Sequence, residues 1–253
     1  MVRELPNLTN ERSFINRKGV QSWRVSERTS PTVKIPDAAA MAEPQRIPKV
    51  DYLLARTRRQ QIFDATCRVL RRKSFHEATV KEIAKEAGLA AGSIYVYLQS
   101  KDDILLLLAD SMVAELMEML PRIREQSRDE PRRELIALTG AVVDVIDRYR
   151  EAFCALNQEV RYLARRPNYR AALKQIVGRY TSTIEDVLER GRALGTMLFS
   201  DVRSVVQAIH MLCSGWAMGA DYLGKTSKEA YQRQIASLIE GRFFNSEADG
   251  HRP

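Results

Sequence analysis

The chain has 253 residues, 45% of them hydrophobic and 28% charged, with a formal net charge of +8, a composition that suits a soluble protein of one large or two modest domains. No apolar run reaches the roughly 18 residues that a bilayer span needs, and no apolar leader with a small-residue cleavage site is present. Cys67, Cys154 and Cys213 are too few and too widely spaced for a disulfide frame or a zinc site, so the expectation is a cytoplasmic protein with reduced thiols, no membrane contact and no cofactor.

The charge is unevenly spread. Residues 1–50 hold nine Lys/Arg against five Asp/Glu, residues 51–101 ten against five, and residues 102–253 twenty-one against twenty-two. A basic head on a neutral body points to a polyanion partner, with a merely solubilising surface as the alternative. Residues 1–50 mix Pro6, Pro31, Pro36, Pro44 and Pro48 with polar residues and show no period. They read as a disordered basic arm, either inert or brushing DNA phosphates or a minor groove. Met41 offers a second possible start.

From residue 52 the pattern is helical, with no alternating apolar strands. The first helix is expected at about 53–72, with Ile62, Ala65, Thr66, Val69 and Leu70 as its buried stripe. Arg56, Arg58, Arg59, Arg68, Arg71 and Arg72 line its other face. After a turn plugged by Phe75, Thr79 and Glu82 form a capping-box signature that opens a second helix at 80–86. Gly88 is suited to the left-handed conformation that ends a helix. A third helix is expected at about 90–97, burying Ile94 and Leu98. A cap near Ser100 then starts a long fourth helix from Lys101 to about Leu120, which Pro121 would end.

The order is that of a helix-turn-helix on a three-helix core. In such a unit the third helix enters the major groove, so its leading residues must be small. Ala90, Ala91, Gly92 and Ser93 meet that need. Tyr95 and Tyr97 can hydrogen-bond phosphate while their rings pack on sugar or a thymine methyl, and Lys101 can reach a backbone phosphate. Half-buried packing is the alternative role for the two tyrosines. Thr79, Ala90, Ala91, Gly92, Ser93, Tyr95, Tyr97 and Lys101 are therefore the candidate DNA contacts.

Residues 55–106, with the run "RRQQIFDATCRVLRRKSFHEATVKEIAKEAGLAAGSIYVYLQSKDDIL", resemble the DNA-binding domain of TetR-family transcriptional regulators. Ile83-Ala84, Ala87-Gly88, Gly92, Ile94-Tyr95, Tyr97, Ser100-Lys101 and Ile104 carry the resemblance without a gap. It covers about a fifth of the chain. Ser74 stands where the family usually has glycine, Ala90 where it has a capping Ser or Thr, Val96 where a polar residue is common and Leu98 where Phe is common. With Ala91 and Val96 on the recognition helix, readout would rest on few hydrogen bonds, helped by thymine methyls and DNA shape.

The resemblance implies an all-α protein: an N-terminal three-helix helix-turn-helix domain and a C-terminal helical domain for ligand binding and dimerisation. The expected division is an arm at 1–50, a DNA-binding domain at 51–101, an effector-binding and dimerisation domain at 102–246 and a disordered tail at 247–253. Further helices are expected at about 130–147, 149–165, 168–191, 201–222 and 227–243. The last two are similar to the pair that forms the family's four-helix dimer interface, which assigns Val205, Ile209, Trp216, Ile235, Leu238 and Phe243 to the interface. A purely intramolecular core is the alternative. Asn157, Arg161, Tyr162 and Arg165 sit in a polar stretch similar to that of family members that answer to acyl-CoA thioesters, and are the candidate effector contacts. A solvated basic surface is the bland reading of the same residues.

An enzyme finds little support. His76, His210 and His251 lie far apart, no phosphate-binding glycine loop is present and no nucleophile motif surrounds Cys or Ser. The expectation is a homodimeric repressor, released from a palindromic operator by a small hydrophobic or acyl-CoA-type effector. The alternatives are a multidrug-type repressor with another inducer, a nonspecific architectural DNA binder, and a member that has lost DNA binding and acts through a protein partner.

Overall fold

The structure is a computed structural model that describes residues 49–219, 223–224 and 226–241. All of them fall within one compact unit. The expectations for the arm before residue 49, for Phe243 and for the tail at 247–253 lie outside the described residues.

The described residues hold eight α-helices and no strand: α1 (Lys49–Leu70), α2 (Val80–Glu86), α3 (Asp103–Ser127), α4 (Pro131–Arg148), α5 (Arg150–Ala164), α6 (Pro167–Ala193), α7 (Val202–Gly219) and α8 (Lys228–Gly241). A short 3₁₀ turn, Ser93–Val96, lies between α2 and α3. The all-α expectation therefore holds. The first helix already begins at Lys49, inside the stretch assigned to the arm, and it ends at Leu70.

The head forms as its sequence dictates. Ile62, Phe63, Ala65, Val69 and Leu70 of α1 close over Phe75, Ile83, Ala84, Ile94 and Leu98, all buried. Thr66 is also buried, and its hydroxyl donates to the Ile62 carbonyl at 2.7 Å. The capping box is complete. The Glu82 N–H donates to Thr79 Oγ1 at 3.1 Å, and the Thr79 N–H donates to Glu82 Oε2 at 2.9 Å. Gly88 has a φ of +68°, as a left-handed helix stop requires.

Three further helix boundaries differ from expectation. The segment expected as a helix at 90–97 makes only one 3₁₀ turn, in a stretch where Gly92, Ser93 and the β-branched Ile94 and Val96 have low helix propensity. The long helix starts at Asp103, and Ser100 does not cap it: Asp103 Oδ2 instead accepts the N–H groups of Gln99 and Ser100 at 2.7 and 2.9 Å. Pro121 does not end that helix, which continues to Ser127. The buried faces of Leu116, Ile123 and Ser127 lie on both sides of the proline. Their packing outweighs the roughly 3 kcal/mol that an interior proline costs. The stop comes at Arg128 and Asp129, both left-handed with φ of 49° and 59°.

Helix α3 packs on α1, α4, α5 and α6, and α4 in turn packs on α6, α7 and α8. One continuous buried cluster runs from Ile62 in α1 to Ile239 in α8. Head and body thus share a core.

Candidate nucleic-acid interface

The capping box and the Gly88 stop set α2 and the 3₁₀ turn side by side. Ile94 and Leu98 point inward, at 0% and 5% exposure, while Ala90, Ala91, Gly92, Ser93, Tyr95 and Val96 face outward. Tyr95 is 55% exposed and Val96 79%, so the tip of the unit presents an aromatic ring and an aliphatic side chain to solvent. Tyr97 is half-buried and packs against the core. Thr79 is exposed at the front of α2.

Gly92 has an ordinary φ of −70°, and a Cβ built on it would meet nothing within 4 Å. The fold of this chain therefore gives no steric reason for glycine there. A flat, small-residue surface beside it suits close approach of another molecule's backbone.

Lys101 has a structural task. Its ammonium donates to the His76 carbonyl at 2.9 Å and lies 4.8 Å from the centre of the Phe75 ring, tying the turn before α2 to the start of α3. Two of its three N–H donors are left for an anion.

The arginine face of α1 is partly committed to carboxylates of this chain. Arg68 and Arg72 share Glu86 at 2.7 and 2.6 Å, Arg56 meets Glu118 at 2.7 Å, and Arg59 approaches Asp110 at 3.4 Å. Glu82 is held well below the usual carboxylate range, at about 2, chiefly by a hydrogen bond from the Lys73 ammonium and then by the Thr79 N–H. Lys81 and Lys85 of α2 are exposed cations on the same unit. Reading the sequence for groove contacts alone passed over both. Their i, i+4 spacing on a helix whose other face carries Ile83 and Ala84 was the available signal.

Residues 62–108 match the model of the bacterial regulatory proteins of the tetR family. Over that stretch the head is similar to the tetR family. The TetR-type stretch also matches the fatty acid metabolism regulator protein of Bacillus subtilis (strain 168), 33% identical over 82 residues, or 32% of this chain and 42% of that protein. The HTH-type transcriptional regulator BetI of Stenotrophomonas maltophilia (strain R551-3) is 34% identical over 87 residues, 34% of this chain and 44% of its own length. This chain thus spans less than half the length of these curated relatives.

Solved structures share the fold over much more of the chain. A TetR/AcrR-family regulator from Thermobifida fusca superposes with a TM-score of 0.57 at 22% identity, over 78% of this chain and 100% of that one. FadR from Bacillus subtilis, solved in complex with stearoyl-CoA, gives 0.55 at 23% identity, over 71% and 96%. The described helices therefore have the TetR-type fold.

The candidate effector residues do not converge in this structure. Arg161, Tyr162 and Arg165 are exposed on α5 and just after it, and Asn157 is half-buried with its amide donating to the Phe153 carbonyl at 2.9 Å. Two surface clefts, of about 800 and 520 Å³, are lined by residues of α3, α4 and α6 and the α3–α4 turn and include none of the four. The reason is helical phase: Ala152, Ala155 and Leu163 take the buried face of α5 and leave the arginines outside. The polar groups inside the body are elsewhere. Tyr180 of α6 hydrogen-bonds His210 of α7, the Cys213 thiol donates to the Thr139 carbonyl at 3.9 Å, and Thr183 and Ser214 are buried nearby in the chain on the same helices. The sequence signal for this group was a histidine among the apolar residues of α7. Burial lowers the His210 pKa from its ordinary value and pushes the Cys213 thiol up to about 12.

Ile209, Trp216 and Ile235 are buried within the single chain, and Val205 is half-buried against its core. The Trp216 indole N–H donates to Asp147 Oδ1 at 3.0 Å and its ring lies 5.4 Å from that of Tyr231. The apolar stripes of α7 and α8 face α4 and each other. Leu238 is exposed at 42%, and Met211 and Met218 of α7 are exposed at 51% and 39%.

No helix among the described residues is long and apolar enough to cross a membrane. No cluster of three or more His, Cys, Asp or Glu side chains that could hold a metal ion occurs among them.

Proposed function

We propose that this protein is a ligand-responsive transcriptional regulator that binds operator DNA as a homodimer and acts as a repressor. The observation that carries the reading is the outward surface Ala90–Ser93 with Tyr95 and Val96 at its tip, built on a TetR-type core. Gly92 lets a phosphate backbone or base edge approach. Tyr95, Tyr97, Ser93 and Thr79 supply hydroxyls, and Lys81, Lys85 and Lys101 supply charge. Val96 and Ala91 suit thymine methyls.

The dimer surface is the exposed face of α7 and α8. Ser204, Met211 and Met218 recur at seven-residue spacing on α7, and Leu238 lies on α8. Two-fold pairing through this face would place two reading units on a palindrome.

The effector is a small hydrophobic molecule, with acyl-CoA thioesters the first class to try. The names of the fatty acid metabolism regulator and of the FadR–stearoyl-CoA complex motivate that choice. The interior between α4, α6 and α7, with Tyr180, His210 and Thr139, is the polar lining available to orient it, while Arg161 and Arg165 lie at the surface for phosphates. A coupling free energy of roughly 1–3 kcal/mol would lower operator affinity about 5–150-fold.

The test is fluorescence anisotropy on duplexes that the purified protein selects from a random pool, followed by titration with acyl-CoA thioesters of graded length. Selection of a palindrome and its release by one thioester is the expected result. Failure to select any duplex would overturn the regulator reading, and binding that no thioester disturbs would overturn the effector class.

A further inference from the structure

The stretch "NQEVRYLARRPNY", residues 157–169, reads from sequence as an effector cluster, yet in the structure several of its side chains grip the head. Tyr169, in the first turn of α6, is 2% exposed, and its hydroxyl donates to Asp103 Oδ1 at 2.7 Å. Its single proton is thereby used, so Ser100 Oγ, 2.9 Å away, is the donor in their bond. The other oxygen of Asp103 holds the N–H groups of Gln99 and Ser100, the residues that close the reading unit. Arg166 donates to Asp102 Oδ2 at 2.5 Å and lies 4.2 Å from the centre of the Tyr169 ring. At the far turn of the head, His76 Nε2 meets Glu159 Oε1 of α5 at 2.7 Å, and the Glu159 side chain is only 13% exposed.

Both turns that flank α2 and the 3₁₀ turn are thus tied to one corner of the body, where α5 ends and α6 begins. Helix α3 is the covalent joint between head and body, and α1 also packs on α5, with the Phe63 and Tyr149 rings 4.9 Å apart. The polar ties at the two turns add directional contacts to that packing and resist rotation about α3.

We propose that this corner is a clasp that sets the angle of the reading head, with Tyr169 and Arg166 as positioning residues, so that it determines which half-site spacing the dimer accepts. The inference rests on the proposed function and specifies how its site is aimed. One extra base pair between half-sites turns one of them by about 35° and moves it by about 3.4 Å. A clasped head cannot follow that change, whereas an unclasped one can swing towards it.

The experiment uses the full chain and the duplex it selects, with spacers of the selected length and one base pair longer or shorter. The wild-type protein is expected to lose at least about tenfold in affinity on either altered spacer. Tyr169→Phe keeps the ring but not the hydroxyl. It should hold its dimer and melting temperature within a few degrees while the spacer penalty falls below about threefold. Arg166→Asp should loosen the spacing in the same way, and the charge reversal Asp102→Arg with Arg166→Asp should restore it. This pair also decides the matter if Tyr169→Phe fails to fold. A DNA-free arm follows amide exchange at Gln99 and Ser100, which should speed up about tenfold in Tyr169→Phe. Unchanged spacing discrimination, or unchanged exchange at those two amides, would overturn the clasp. A wild-type protein that selects no duplex would refute the proposed function, while the exchange arm would still judge the clasp.

Discussion

Replacing Trp216 with alanine separates an interface role from a core role. Trp216 is 8% exposed, donates to Asp147 and packs on Tyr231, with the Arg150 guanidinium 5.6 Å from its ring centre. Removing a buried indole costs about 3–5 kcal/mol in lost transfer energy and residual cavity. Its lost hydrogen bond is part of that range, because Asp147 remains near solvent and 3.6 Å from Lys228 Nζ. In a unit of this size each kcal/mol lowers the melting temperature by roughly 2–4 °C, so a drop of about 10 °C is expected. Thermal unfolding followed by far-ultraviolet circular dichroism gives the stability, and sedimentation velocity at the same concentrations gives the assembly state. Trp216→Ala should melt early yet remain as associated as the wild type while folded. Met211→Glu, on the exposed face of α7, should do the reverse and shed its partner with little loss of helix. A Trp216→Ala protein that separates into folded monomers with an unchanged melting temperature would refute the placement of this indole inside the protomer.

Thr79→Ala should cost about 1 kcal/mol of stability through loss of the N-cap, and Thr79→Ser should restore it, as urea midpoints would record. Gly92→Ala should leave the melting temperature within a degree or two, since its Cβ meets nothing, while weakening binding to the selected duplex about tenfold or more in anisotropy; equal affinity would show that no close approach occurs there. Gly191→Ala sets a helix-propensity gain of about 1 kcal/mol against a Cβ only 2.6 Å from the buried Met197 sulfur. Overpacking costs about 1–3 kcal/mol, so a net loss is expected in chemical denaturation. Burial lowers the His210 pKa below the ordinary 6.5, so just under that pH the unfolded chain takes up a proton that the folded chain refuses. Stability should therefore fall as pH drops below 6.5 and be regained above it, and His210→Gln should flatten the melting-temperature profile over that range.

The head was legible because local chemistry decides it. Thr79 and Glu82 form the box their spacing promises, Gly88 takes the positive φ, and Phe75 plugs the core. The body was legible as a set of helices, and most boundaries came within a few residues. What could not be read was phase between helices. The apolar side of α7 was expected to pair with a second copy, and within the chain much of it closes on α4 and α8. The arginines of α5 looked like a ligand site, yet its alanines and Leu163 face inward. Periodicity marks which side of a helix is apolar and says nothing about what covers it. Pro121 shows the same limit, because a local breaker gives way when residues on both of its sides are held in the core.

Helix α3 has a consequence for where the protein can be cut. Ile104, Leu105, Leu107 and Leu108 are buried a few residues past the seam drawn between 101 and 102, and α3 packs on α1 as well as on α4 and α6. A fragment ending at residue 101 would lose the wall on which α1, α2 and the 3₁₀ turn rest, and the remainder would begin with a bare apolar strip. Grafting a different reading unit onto this body would need a joint inside α3 or beyond it, with the facing residues of both parents carried across together. The two proposed functions are separable on paper, and their segments share one helix in the folded chain.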